Sequence, residues 1–258
     1  MKNLILEIFK YRSLLIELLK RDLKKKYYKS FLGVMWTILS PLMMMTVLTF
    51  LFSTLFKRSI EHFPIFYMCG WLIFDFNAEA TTTALHAIVD NAALIRKIYV
   101  PTYLFCVSKV LLAMVNKLFS LIPLFLVMIV LHVPFHWTIL LIPLLLVPLF
   151  FFSLGLGLGL ASLAVHLRDT FHLYSILIMM WMYLSAIFYP ITIIPEQFQV
   201  LWNYNPLYHF IVIMRELVLY GNLPTTTTVL YAVSYSVLMM GIGIALYRKL
   251  QKNFMLHI

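Results

Sequence analysis

Residues 18–41, LLKRDLKKKYYKSFLGVMWTILSP, change character midway, and that change constrains how everything after them is placed. The first half is basic and compatible with a helix. Leu15, Leu19 and Leu23 recur every fourth residue on one face, while Lys20, Arg21 and Lys24 sit on the other. A helix so patterned lies along a membrane surface, apolar stripe at the headgroup boundary and cations toward anionic lipid. From Phe31 the chain becomes an apolar segment running to about Phe56, long enough to cross a bilayer. A cationic block directly before a span stays in the cytoplasm. A solvated basic face on a soluble helix would have the same charges, but here the span follows without a linker.

Composition agrees. Of 258 residues, 63% are hydrophobic and 12% charged, where a soluble domain carries about a quarter charged residues. The net charge of +10 does not point to nucleic acid, because the cations gather at the ends of the apolar segments, as orientation in a membrane requires. Cys69 and Cys106 lie in apolar surroundings without redox or metal spacing and read as buried thiols. Glu7 and Lys10 interrupt the N-terminal apolar run, which does not read as a signal peptide.

The expected fold is an all-α integral membrane protein with six spans, at about residues 31–56, 65–89, 103–131, 137–165, 170–189 and 228–247. The fourth exceeds the roughly 20 residues a span needs, so Pro143 and Pro148 are expected to kink it, or it tilts. Residues 1–30 form the interface helix, 31–189 the first five spans, 190–227 an outer segment, 228–247 the sixth span and 248–258 a tail, all one transmembrane unit. With the N-terminus inside, the inner segments hold nearly all the Lys and Arg outside the spans, and the outer ones hold only Lys57, Arg58 and Arg215. That asymmetry fits an even number of spans and two cytoplasmic termini. The outer segment contains Pro195, Pro206 and Pro224 yet is rich in Phe, Trp, Tyr, Leu and Ile. It is expected to form short helices that dip into the outer leaflet or lie on it.

The search for chemistry returns absences. No phosphate-binding GxxxxGK[ST] loop occurs, His132 and His136 lack the glutamate of a zinc protease, and His166, Asp169 and His172 read as interfacial residues. The chain is therefore expected not to be an enzyme. Charges within the spans are more informative. Asp75 and Glu79 lie one turn apart on the second span, and Lys109 and Lys117 lie on the third. A charge at mid-bilayer finds a partner or a water-filled cavity, so Asp75 or Glu79 is expected to pair with Lys117, and with Lys109 in addition; a proton or ion relay is the functional alternative. Mixed aromatic and polar stripes run along the first span (Trp36, Ser40, Met43, Phe50, Thr54) and the fifth (Tyr174, Ile178, Trp181, Ser185, Phe188). Ordinary helix packing produces such stripes, but flat rings among hydroxyls also suit a conduit along which sugar rings slide. GLGLGLA, residues 155–161, offers a small-residue surface for close helix approach.

Four of these stretches carry a resemblance. RDLKKKYYKSFLGVMWTILSPL (residues 21–42) is similar to the start of ABC-type polysaccharide export permeases, the membrane subunits that export O-antigen, capsular polysaccharide or teichoic acid. NAALIRKIYVP (91–101) resembles that family's cytoplasmic loop between spans two and three. HLRD followed by a span ending in FYP, and NPLYHFIVIMRE (205–216), resemble its later signatures. The likeness covers nearly the whole chain, in the right order and on the right side. Val100 stands where an aromatic is usual and Thr102 where a basic residue is common.

The resemblance implies a half-transporter of the bacterial inner membrane. Two copies form the channel, and two copies of a separate ATPase, which would hold the ATP and magnesium, bind beneath; no cofactor belongs to this chain. The interface helix (Lys20, Arg21, Lys24) and a coupling helix carrying Asn91, Leu94, Ile95, Arg96, Lys97 and Tyr99 would meet the ATPase. Trp36, Ser40, Phe50, Tyr174, Trp181, Ser185 and Phe188 would line the conduit, and residues 190–227 would gate it. The implied cargo is a polysaccharide on undecaprenyl diphosphate, O-antigen foremost, whose pyrophosphate Arg168, Lys25 and Lys29 would attract. An exporter of small hydrophobic molecules and an ion- or proton-coupled carrier remain the alternatives, with a membrane acyl- or glycosyltransferase disfavoured because the loops are too short for a catalytic domain.

Overall fold

A computed structural model describes residues 11–28, 33–54, 62–97 and 100–254. Within them the chain is helix and short connection, with no strand. In order come α1 (Arg12–Tyr27), α2 (Trp36–Thr54), α3 (Phe63–Asp90), the four-residue α4 (Ala92–Ile95), α5 (Tyr103–Val130), α6 (Ile142–His166), α7 (Thr170–Leu184), α8 (Glu196–Asn203), α9 (Pro206–Arg215) and α10 (Thr226–Leu250). A helix occupies each segment expected to span. Among the described residues, three stretches are long and apolar enough to cross a bilayer: Tyr103–Val130, Trp137–His166 and Thr226–Asn253. α2 and α7 are apolar but shorter, and α3 is long but carries Asp75 and Glu79.

Two boundaries differ from expectation for local reasons. The overlong fourth segment opens with a 3₁₀ turn, Trp137–Leu141, and Pro143 sits in the first turn of α6. There its missing N–H costs nothing, so it starts the helix instead of kinking it. Pro148 does lie inside the helix. The fifth helix stops at Leu184, five residues short of Tyr189. Ala186 follows in the left-handed region at φ 51°, where a Cβ costs roughly 1–2 kcal/mol, so the chain turns back before reaching FYP.

The core follows the series α5, α3, α6, α10, in which α5 with α3, α3 with α6 and α6 with α10 are the three most extensive packings between elements. Glycine sets the α6–α10 distance. A Cβ on Gly243 would lie 2.0 Å from the Gly155 carbonyl oxygen, and one on Gly155 would lie 2.5 Å from the Met239 backbone. The neighbouring Gly157 brings α6 close to α3 as well, where its Cβ would meet that of Ala84 at 2.8 Å. The small-residue run thus serves two helices. Ser153 Oγ also donates to Asn77 Oδ1 on α3 at 2.9 Å.

The outer segment forms two short helices, as expected. Asn205 caps α9, its Oδ1 accepting from Leu207 N at 3.1 Å with Pro206 in the first turn, the usual device for starting a helix. α9 ends in a π turn, Glu216–Tyr220, closed by Gly221 at φ 67°. Thr138 Oγ1 donates to the Leu217 carbonyl within that turn at 2.6 Å, which fastens it to the loop between α5 and α6.

Candidate functional site

The charges within the apolar helices gather on one side, where α1, α3 and α5 meet. Lys117 pairs with Asp75, as expected. Glu79 is held by two donors on other elements, Lys26 Nζ on α1 and Asn116 Nδ2 on α5, each at 2.7 Å from Oε1. Lys109 departs from expectation: its Nζ reaches Asp22 Oδ2 on α1 at 2.7 Å, not a carboxylate of α3. Asp22 is buried and also takes Arg21 Nε at 2.9 Å. A paired, hydrogen-bonded charge is the form in which an ion persists away from water.

Asp22 also corrects the orientation of α1. Leu15, Leu18 and Asp22 are its buried positions, packed toward α5, whereas Leu19 and Leu23 are half-buried. The stripe drawn through Leu15, Leu19 and Leu23 is rotated by part of a turn, since residues three and four apart share a helix face. Lys20, Arg21 and Lys24 are exposed. Arg21 Nη1 further donates to Asn91 Oδ1 at 3.2 Å, and Asn91 Nδ2 donates to the Ala87 carbonyl at 2.8 Å. Asn91 joins α3 to α4, so the interface helix is tied directly to the short helix beside it.

Of the six residues expected to meet a partner there, two are exposed: Arg96 and Lys97 follow α4 and face outward. Leu94 is half-buried, Asn91 is buried by its bonds, and Ile95 is 7% exposed and part of the apolar core. Ile95 holds α4 down and does not present a contact. Ala93, unremarked in the sequence, is exposed on α4. Tyr99 lies outside the described residues.

The two stripes also divide. On α2, Trp36 is 47% exposed and Phe50 66% exposed, with Ser40, Met43 and Val47 on the open surface. On α7, Tyr174 is buried, its hydroxyl 2.5 Å from Thr81 Oγ1 of α3, and Ser185 is buried with its hydroxyl on the Trp181 carbonyl. Within the protomer neither reaches a surface, and the open face of α7 is instead Leu173, Ile176, Leu177 and Met180. Trp181 and Phe188 are half-buried. Trp181 Nε1 donates to Asn205 Oδ1 at 2.8 Å, and Phe188 stacks on Tyr67 at 5.8 Å. Trp181, Leu184, Leu201, Trp202, Tyr204, Asn205 and Pro206 line an open apolar hollow of about 330 Å³ where α7 meets α8 and α9.

Arg215, counted from sequence as an outer-loop cation, is buried. Its Nη2 donates to the Ala186 and Ile187 carbonyls at 2.9 and 3.1 Å, its Nε donates to the Phe66 carbonyl at 3.3 Å, and the guanidinium lies 3.4 Å from the centre of the Phe66 ring. Burial pulls its pKa down to about 10, which leaves it charged at neutral pH. Of the cations expected to attract a pyrophosphate, Arg168 is exposed in the α6–α7 turn and Lys25 in the last turn of α1. Lys29 lies outside the described residues.

Residues 13–219 match the profile of a protein family described as ABC-2 type transporter. The chain is 32% identical over 198 residues to the O-antigen export system permease protein RfbA of Myxococcus xanthus, covering 76% of each chain. It is 27% identical over 247 residues to the protein of the same name from Klebsiella pneumoniae, covering 93% of each. With the polysialic acid transport protein KpsM of Escherichia coli it shares 25% identity over 251 residues, 88% of this chain and 90% of that one.

Proposed function

The chain belongs to the ABC-2 type transporter family, and from that premise we propose that it is the permease subunit of an ATP-driven polysaccharide exporter in the bacterial inner membrane. Three relatives that span most of it are named for O-antigen export or polysialic acid transport, and O-antigen on undecaprenyl diphosphate is the preferred cargo. Six helices, α2, α3, α5, α6, α7 and α10, cross the bilayer with both termini cytoplasmic. Two copies pair to enclose the conduit. The open face of α2, with Trp36, Ser40 and Phe50, and that of α7, with Leu173, Ile176, Leu177 and Met180, contribute its wall, the half-buried Trp181 lies toward its outer end, and α8 and α9 gate that end. ATP and magnesium are held by a pair of separate ATP-binding subunits beneath. Arg168 and Lys25 face the cytoplasm, where they attract the lipid pyrophosphate.

One observation carries this reading: α4 is a single helical turn at the end of a 28-residue helix, bolted to α1 through Arg21 and Asn91, with Ala93, Arg96 and Lys97 outward. A rigid projection of that kind transmits a push from a partner to α3 and α5 together. Reversing both charges (Arg96→Glu with Lys97→Glu) is expected to preserve the folded permease but abolish export and co-purification of an ATP-hydrolysing subunit. A cysteine placed at Lys97 should be labelled only from the cytoplasmic side; labelling from the periplasm would invert the topology and end the proposal.

A further inference from the structure

Immediately before α5, with helical backbone angles (φ −65°, ψ −26°) that do not set its side chain to cap the helix, stands Thr102. Its Oγ1 lies 2.7 Å from the hydroxyl of Tyr247, in the last turn of α10, 145 residues along the chain. Tyr247 is buried and meets the ring of Tyr103 edge-on at 6.1 Å and that of Phe254 edge-on at 5.9 Å. Phe254, beyond the end of α10, is 3% exposed and packs on His166 at the end of α6, ring centres 5.9 Å apart. Four elements therefore converge at one knot: the segment that follows α4, the start of α5, the end of α6 and the end of α10.

Resting on the coupling role given above to α4, we propose that Tyr247 is a positioning residue of the transport cycle: it hands movement of the segment after α4 to α10, and so to α6. Phe254 backs it by wedging the tail between Tyr247 and His166. α10 cannot receive that movement alone, because the Gly243 backbone is in contact with the Gly155 carbonyl and any sliding must carry α6 along. A push on Arg96 and Lys97 is thereby shared between α3, joined through Asn91, and the α6–α10 pair, joined through Thr102 and Tyr247.

The test is a double-mutant cycle in the assembled exporter, reading polysaccharide delivered per ATP hydrolysed. Tyr247→Phe and Thr102→Val each remove one hydroxyl and little volume. Each is expected to lower the ratio about fivefold, the weak end of typical coupling between sites, with ATP turnover and thermal stability retained. The double variant is expected to be no worse than either single, since one bond is lost in all three. In the permease alone, embedded in lipid nanodiscs, amide exchange across residues 100–104 should quicken about fivefold in each variant, the effect of one lost hydrogen bond. An unchanged ratio in Tyr247→Phe, in an exporter that Arg96→Glu with Lys97→Glu does uncouple, would overturn this inference alone. So would additive losses, or losses that follow the amount of folded protein. Normal export by the charge-reversed pair would remove the coupling role of α4, and this inference with it.

Discussion

Lys109 Nζ, in the second turn of α5, lies 2.7 Å from Asp22 Oδ2 on α1. Asp22 is 6% exposed and Lys109 19% exposed at the side chain, so this is a pair withdrawn from water rather than a surface contact. Its counterpart at the end of α3 is Arg21 on Asn91. With Lys26 on Glu79 as a third tie, the interface helix is fixed to both of the helices that flank α4. A helix merely floating in the headgroup layer would need none of these ties.

Breaking one side of a buried pair strands the other, at a cost of about 3–5 kcal/mol. Asp22→Asn and Lys109→Met are each expected to lower unfolding stability by about 3 kcal/mol, read as a shifted melting transition in detergent. Combining them should recover much of the loss, because no charge is then left alone. A double variant as unstable as the sum of the singles would show that the pair contributes nothing jointly.

Asp75 and Lys117 form a second pair, between α3 and α5, in which the Lys117 side chain is 4% exposed and that of Asp75 38% exposed. Asp75→Asn together with Lys117→Met is expected to leave the stability within about 1.5 kcal/mol of the parent and export unchanged across the pH range. A transport rate that falls with pH in the parent and is insensitive to pH in the double variant would establish a proton relay and refute the structural role.

The contrast between these pairs shows what the sequence could and could not convey. Asp75 and Lys117 are isolated charges in long apolar runs, and each implies a partner at matching depth. Asp22 sits among Arg21, Lys20 and Lys24 in a segment where any charge looks solvated, so nothing singles it out as buried. Sequence does not separate Leu18 from Leu19, because periods of three and four fit α1 equally well until α5 supplies a face to pack against. The six apolar segments, the helices of the outer segment and the close approach at GLGLGLA were legible, being set by local composition. The early end of α7 was not. It depends on the Ala186 and Ile187 carbonyls, which Arg215 satisfies from 29 and 28 residues further along the chain, and Tyr174 turns inward because Thr81 on α3 offers it a hydrogen bond.

Two glycines in α10 separate packing from helix propensity. Gly241 has no atom within 4 Å of where a Cβ would stand, while Gly243 would drive one to 2.0 Å from the Gly155 oxygen. Gly241→Ala is expected to be neutral or to stabilise by about 0.5–1 kcal/mol through helix propensity. Gly243→Ala should destabilise by about 3 kcal/mol or more, as over-packing does. Equal melting temperatures for the two would mean that α6 and α10 do not touch there.

Arg215 holds the bend that ends α7. Ala186 and Ile187, just past the helix, present carbonyls without intrahelical partners, and one guanidinium nitrogen serves both while a second serves Phe66 on α3. Gly70 makes room for it: a Cβ there would stand 3.1 Å from Arg215 Nη2 and 3.3 Å from Ile187 Cα. The planar fork is what allows one side chain to reach three carbonyls on two elements, and an ammonium on a flexible stem does not reproduce it. Arg215→Lys is therefore expected to behave much more like Arg215→Met than like the parent. Both should loosen the turn at Ala186 and let α8 and α9 move away from α7, costing about 2–3 kcal/mol of stability through unpaired buried carbonyls. A spin-label distance between positions 184 and 201, which lie across the hollow lined by Trp181 and Trp202, should broaden in both variants. Should Arg215→Lys keep the parent's narrow distance distribution and melting point, charge alone would suffice there, and the fork geometry would have no part in setting where α7 stops.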